Sequence, residues 1–372
     1  MSASVPVWMW IVGFLLVLGP LVTLHELGHY LAGRVFGVKA QSFSVGFGKE
    51  IAGFTDRRGT RWKLSVLPLG GYVQFAGDMN PSSVPDREAL ARVPEKERRE
   101  NFHFRPLWQR AIIVFAGPFT NLVIALAIFA AFNLAYGRIE APPVVDHFAE
   151  QSVARDAGVR AGDRIVAIDG ERVDGFMDIA ERVLMYPGQR IALEIERGGS
   201  TLMVPVRIAS SVESDGFGNE SRVGRIGIYA VEPRIVPVGP VEAVSLSVHQ
   251  SIDMVRMMAT GIGQIVTGDR SVKELGGPLK IAKFSGEQLS LGAQAFAGFV
   301  ALISINLAFI NLLPIPALDG GHLAFYAAEA IRRKPLGQRS QEWAFRTGMG
   351  LVLALMLFVT INDIASLPLF GG

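Results

Sequence analysis

The sequence predicts a polytopic α-helical membrane protein of about four transmembrane helices, with a membrane-re-entrant β element and an inserted extracytoplasmic α+β domain. Three observations predict it. Half of the 372 residues are hydrophobic and only 19% are charged, which is too apolar for an ordinary soluble chain. Four separated apolar stretches are long enough to cross a bilayer. Between the second and third lies a polar segment with the alternation and turn residues of a folded domain. The net charge of +2 leaves no global basic surface for nucleic acid. There are no cysteines, so disulfides and thiolate ligands are excluded and any bound metal must be held by histidine and carboxylate.

The first span covers Val7–Val35, within residues 1–35, and no charged side chain precedes Glu26. It lacks a basic leader and is longer than a usual signal-peptide core, so an uncleaved span is expected. It contains His25-Glu26-Leu27-Gly28-His29. Residues four apart lie one turn above each other on a helix. Two imidazoles so placed can grip one tetrahedral ion, and the glutamate between them can act as general base. The bland alternative is a helix end with two interfacial histidines and a snorkelling glutamate. Ionisable clusters inside membrane helices are costly, which favours function. This motif supplies two ligands, and a third must come from elsewhere.

Residues 36–110 form the next segment. Ser44-Val45-Gly46-Phe47-Gly48 and, further on, Pro68-Leu69-Gly70-Gly71-Tyr72 punctuate short runs of β-formers, which predicts hairpins. They are too apolar for a free loop, so a small β structure dipping back toward the metal is expected, with a small soluble β-subdomain as the alternative. The polar stretch 79–105 includes a solvated helix face at 95–100. Phe102, Phe104, Trp108 and Arg110 suit a segment at the membrane interface. The second span, 111–136, carries Gly117-Pro118 and Asn121. Small residues allow close helix approach, and an asparagine in lipid needs a partner.

Residues 137–235 are the inserted domain, with a helix expected near 177–184 and strands at 190–196 and 201–208. Its Ala157-Gly158 through Gly162-Asp163 to Ile168-Asp169-Gly170 run resembles the PDZ domain of the permuted bacterial type. That resemblance implies binding of an extended peptide as an added strand. In 236–292, Val244, Val248, Ile252, Val255, Met258, Ile262 and Ile265 step by three or four. This is helical periodicity, for a helix on the membrane surface or one in a core. The third span, 293–313, leads into Asn311 and then Pro314-Ile315-Pro316-Ala317-Leu318-Asp319-Gly320-Gly321-His322, closing a segment of 293–322. The prolines end the helix. A loop at 323–348 and a last span at 349–367, within 349–372, complete the chain.

Basic residues follow the first span (Arg34, Lys39, Lys49, Arg57, Arg58) and the third (Arg332, Arg333, Lys334). By the positive-inside rule both loops are cytoplasmic. Both termini and the inserted domain are then extracytoplasmic. Arg270, Lys273, Lys280 and Lys283 run against this, in a long translocated region where the rule is weak. His25, His29 and Asp319 all fall near the cytoplasmic leaflet. Asp319 in isolation reads as a helix cap; beside an unfinished two-histidine site it reads as the third ligand.

These residues resemble the site-2 protease family of intramembrane zinc metalloproteases, in its bacterial regulator-of-sigma-E branch. The match rests on His25 to His29, on Asn311 through Asp319-Gly320, and on the single PDZ-like domain between. Gly46-Phe47-Gly48, Gly70-Gly71-Tyr72 and Ala116-Gly117-Pro118 through Asn121 are similar to the family too. The resemblance implies His25, His29 and Asp319 as ligands of Zn2+ and Glu26 as the catalytic base. It implies Asn311 as a substrate contact, and a β element at 44–75, with Gly46, Gly48, Gly70 and Gly71, whose edge pairs with unwound substrate. The expected partners are single-span membrane proteins, including anti-sigma-factor-like proteins and signal-peptide remnants, a substrate tail at the PDZ-like domain, and the lipid bilayer of the bacterial inner membrane. A membrane-anchored PDZ adaptor with a vestigial metal site is the alternative, against which the intact Glu26 and Asp319 speak. A metal transporter would need polar ligands along more spans than the second and fourth offer.

Overall fold

The computed structural model describes residues 5–77, 90–214 and 220–365. Part of the expected polar stretch (78–89) and the tail from 366 lie outside them. The chain divides into two compact units, residues 1–129 with 276–361, and residues 130–275 with 362–372. Among the described residues four helices are long and apolar enough to cross a membrane. They are α1 (Val7–Val35), α2 (Leu107–Tyr136), α6 (Ala293–Leu312) and α8 (Gln338–Ala365). Their outward aliphatic side chains, such as Ile11, Val123, Leu302 and Leu353, are exposed in the isolated chain. A bilayer is the solvent that suits them.

In the first unit, small residues bring backbones together. A Cβ at Gly13 of α1 would lie 2.7 Å from the Ser285 backbone of α5 (Pro278–Ser290), and one at Gly286 would lie 2.8 Å from Trp10. A Cβ at Gly28 would lie 2.5 Å from the Ala116 carbonyl oxygen of α2.

Between α1 and α2 come two long antiparallel strands, β1 (Ala40–Thr55) and β2 (Arg61–Phe75). Ser42 pairs with both Gln74 and Arg61, and Val45 with both Gly71 and Leu64. The hairpin has thus folded on itself into four segments in the order 71–75, 40–47, 61–65, 50–55. The bend needs backbone in the left-handed region, supplied at Gly46 and Gly48 (both φ +91°). Phe43, Tyr30 and Trp62 pack under the sheet and tie it to α1.

The expected loop at 323–348 is largely helical. Asp319–Arg332 forms α7, and α8 begins at Gln338 instead of 349. Apolar content marks only the part of α8 that needs lipid. Its polar first turns are held by protein contacts: Gln341 is buried and donates to Glu329 of α7 at 3.4 Å.

The second unit contains the short strands β3 (Arg138–Glu140) and β4 (Val145–Phe148), followed by β5 (Arg164–Ile168), β6 (Glu171–Arg172), β7 (Arg190–Arg197) and β8 (Ser200–Arg207). The last four form an antiparallel sheet in the order β6-β5-β7-β8. Strand alternation puts Ile191, Leu193 and Ile195 inward against Ile179 and Val183 of α3 (Phe176–Leu184). Each such fully buried aliphatic side chain contributes about 1.5–3 kcal/mol. The helix α4 (Pro240–Thr267) reverses the usual pattern. Ala243, Ser247 and Ser251 are buried, while Val241, Val244, Val248 and Ile252 are exposed. Its aliphatic stripe is therefore not a core stripe.

Asp163, in the Gly-Asp pair of the sequence motif, anchors this domain. It is 2% exposed. Arg197 donates to both its carboxylate oxygens, at 2.7 and 2.6 Å, and the Arg160 amide donates at 2.7 Å. Burial pushes the carboxyl up, but the Arg197 guanidinium and the Arg160 amide outweigh it and hold it below the ordinary carboxylate value. A lowered folded value means that its stabilisation is fully present above the unfolded pKa of about 3.9 and is lost as pH falls through the folded value. Hydrogen exchange of the β7 amides should lose protection as the wild type is acidified below about pH 4. Asp163→Asn should be less protected at neutral pH and should lack that acid step. Identical protection in the two would contradict the anchoring role.

Candidate metal centre

Three polar side chains converge where α1, α2 and α7 meet. His25 and His29 sit one turn apart on α1. Their Nε2 atoms are 3.1 Å apart. Asp319 brings Oδ2 to 3.2 Å from His25 Nε2 and Oδ1 to 3.6 Å from His29 Nε2. Among the described residues these three are the group able to hold a metal ion, with one donor atom from each within 4.8 Å of the others. Zinc–nitrogen bonds of 2.0–2.1 Å in a tetrahedron place neighbouring donors about 3.3 Å apart. The observed spacings bracket that value. The charges fit as well: Asp319 and the neighbouring Glu26 balance one dication in a site walled by apolar helices.

Asp319 is delivered by a tight turn. Ala317 adopts φ +90°, and Leu318, not Asp319, stands at the N-cap of α7. Asp319 is thus the first helical residue and is turned to the histidines, so the helix-cap alternative is not its role here. Gly320 and Gly321 let the start of α7 lie against the backbone of 312–316, where any Cβ would collide. This is the reason for glycines immediately after the aspartate.

Helix α2 completes the cradle with one face. Ile113, Gly117 and Asn121 follow at four-residue intervals, antiparallel to His29 and His25. His29 Nδ1 lies 2.8 Å from the Ile113 carbonyl oxygen and donates to it. In the neutral ring with its proton on Nδ1, the Nε2 lone pair is free and directed at the centre. Asn121, fully buried, lies with its amide 3.2 Å from His25 Nδ1. Gly117 lies between, and a Cβ there would collide with His29 Nε2 and lie 2.7 Å from His25 Nε2.

Glu26 is half-buried and accepts a hydrogen bond from the Val73 amide at 3.1 Å. Val73 belongs to the outer segment of the folded hairpin, so this sheet edge runs past Glu26. A cavity of about 380 Å³ opens here, lined by His25, Glu26, His29 and Asp319, and by Gly70, Gly71 and Asn311. Gly46 and Gly48 are not in its wall, but Phe47 between them is. His322 also lines it. Sequence reasoning had no signal for the Ile113 carbonyl, because any residue carries one. Asn121 was marked by being an amide in an apolar span.

Residues 13–355 match the profile of Peptidase family M50. The chain belongs to Peptidase family M50. It is 45% identical over 362 residues to a protein of Agrobacterium fabrum that is a zinc metalloprotease by name, covering 96% of each chain. It is 36% identical to a Rickettsia conorii protein named in the same way, covering 96% of this chain and 99% of that one. Metalloprotease MmpA of Caulobacter vibrioides is 34% identical, with 97% of this chain and 96% of that one covered. A solved PDZ domain of an SdrC-like protein from Listeria monocytogenes covers 25% of this chain and 93% of its own, at 18% identity and TM-score 0.20. A likeness at that level assigns no fold. With its four long apolar helices, this M50 peptidase is a multi-pass membrane protein.

The closeness of Gly117 to both rings gives a sharp expectation. Gly117→Ala should leave the purified M50 peptidase with well under one bound metal ion per chain, because a methyl group there displaces the ligand rings. Full metal occupancy in that variant would contradict this packing.

Proposed function

We propose that the protein is a zinc-dependent intramembrane endopeptidase that cuts single-span membrane proteins. One observation carries the reading: His25, His29 and Asp319 lie close enough to hold one metal ion, with Glu26 in the same cavity, beside helices apolar enough to cross a membrane. His25, His29 and Asp319 hold the zinc and Glu26 is the base. When bound there, zinc would supply Lewis acidity to the scissile carbonyl and would lower the pKa of water toward about 7, easing its deprotonation. Glu26 accepts the proton of the attacking water and returns one to the leaving amine. Its bond to the Val73 amide aims the carboxylate across the cavity.

A transmembrane helix hides its amides in internal hydrogen bonds and must be unwound before attack. The sheet edge at 71–75, which passes Glu26, is positioned to take an unwound segment as an added strand. Gly70 and Gly71 keep side chains out of that path, Gly46 and Gly48 set the bend that presents it, and Asn311 contacts the substrate backbone. Anti-sigma-factor-like proteins and signal-peptide remnants are the substrate class. The site works near the cytoplasmic leaflet of a bacterial inner membrane, with both termini extracytoplasmic.

The inserted domain acts as a PDZ module. A groove of about 810 Å³ runs between α3 and residues 224–229, lined by Phe176, Ile179, Val183, Ile226 and Ile228. Its apolar floor beside strand backbone suits an extended peptide tail.

Cleavage of a single-span substrate by the purified protein tests the reading. Glu26→Gln should keep zinc and lose activity by about 10²–10⁴-fold, the usual contribution of a general base. Asp319→Ala should lose both zinc and activity. Wild-type cleavage rates in Glu26→Gln would remove Glu26 from the chemistry.

A further inference from the structure

We infer that Asn121 is a positioning residue for the metal centre: its side-chain oxygen fixes the ring of His25 in the form that binds zinc. The inference rests on the assignment of His25 as a ligand through Nε2. That nitrogen is the one directed at Asp319 and His29. To bind a metal it must be unprotonated, so the ring proton sits on Nδ1 and needs an acceptor. The Asn121 amide is the side chain at Nδ1, at 3.2 Å, and both residues are buried.

As placed, Asn121 presents Nδ2 to the ring, and its Oδ1 is buried with no hydrogen-bond partner. A half-turn of the amide exchanges two atoms of nearly equal size. Oδ1 then accepts from His25 Nδ1–H without moving either helix. The two amide orientations select two ring tautomers. With Nδ2 toward the ring, Nδ1 accepts and Nε2 carries the proton, which suits a bond to Asp319 and forbids a metal. With Oδ1 toward the ring, Nε2 has its lone pair free.

The two histidines are thus oriented by different means from one helix face. His29 leans on the main-chain oxygen of Ile113, which any residue at 113 would provide. His25 leans on a side chain, so its orientation depends on the residue type at 121. The position of Asn121 is fixed from the other side as well. Ser304 of α6 donates from Oγ to the Asn121 main-chain oxygen at 2.7 Å, and both are buried.

Zinc affinity of the full-length protein in detergent, measured by competition with a chelator, separates this role from packing. Partners that orient metal-binding histidines typically change affinity by about 10–100-fold when removed. Asn121→Leu keeps the shape and removes the acceptor, and should weaken zinc by that factor. Asn121→Asp keeps an acceptor and should bind within a few-fold of wild type or tighter, whereas a packing role would be hurt more by the buried charge than by leucine. Ser304→Ala, which loosens the helix contact and spares the amide, should change affinity little. Wild-type affinity in Asn121→Leu, or a tenfold or greater loss in Asn121→Asp, would overturn the inference. Should Asn121→Leu fail to fold, Asn121→Asp still decides. Wild type and His25→Ala are measured alongside. If wild type binds no zinc, or His25→Ala binds it equally well, it is the assignment of the ligands that fails, and not the part given to Asn121.

Discussion

The close antiparallel approach of α1 and α2 is the constraint on which the site depends. Ionisable groups walled by apolar helices are costly unless they are paired, so the polar side chains here need protein or metal partners. Gly28 against Ala116, and Gly117 against the two rings, bring the helices near enough for that. The four-residue spacing of His25 and His29 then meets the four-residue spacing of Ile113, Gly117 and Asn121. One helix carries the two candidate ligands, and the other meets each of their rings at Nδ1. A larger side chain at either glycine would separate the helices and leave the imidazoles unpartnered in an apolar wall.

Two further elements meet this pair. The proline-broken end of α6 turns the chain sharply so that α7 begins with Asp319 facing the histidines. The doubled hairpin places the Val73 amide on Glu26. Neither element could do this as regular structure. The turn uses a positive φ at Ala317, and the hairpin uses its glycines. Both irregular stretches line the cavity, at Ala317 and at Gly70, Gly71 and Tyr72.

Much of this was legible in the sequence because it is written in local patterns. Hydropathy marked the apolar spans, and the four-residue repeat of histidines marked the ligand face of α1. Two prolines before Asp319 marked the break that frees it. The strands expected at 190–196 and 201–208 are β7 and β8. What was not legible depends on distance across the fold. The self-pairing of the hairpin is a register between segments far apart in sequence, and no local signal encodes it. The polar start of α8 is helical through contacts with α7, so an apolar window missed it. On α4 periodicity was visible, but the side facing inward was not. Buried serines and alanines carry that face, and the exposed valines carry the pattern.

Zinc K-edge X-ray absorption on the purified, full-length protein reads the donor set itself. One zinc per chain is expected, bound by two imidazole nitrogens and by oxygen at about 2.0–2.2 Å. A shell without imidazole, or one with three or more, would contradict the convergence of His25, His29 and Asp319 on a single ion.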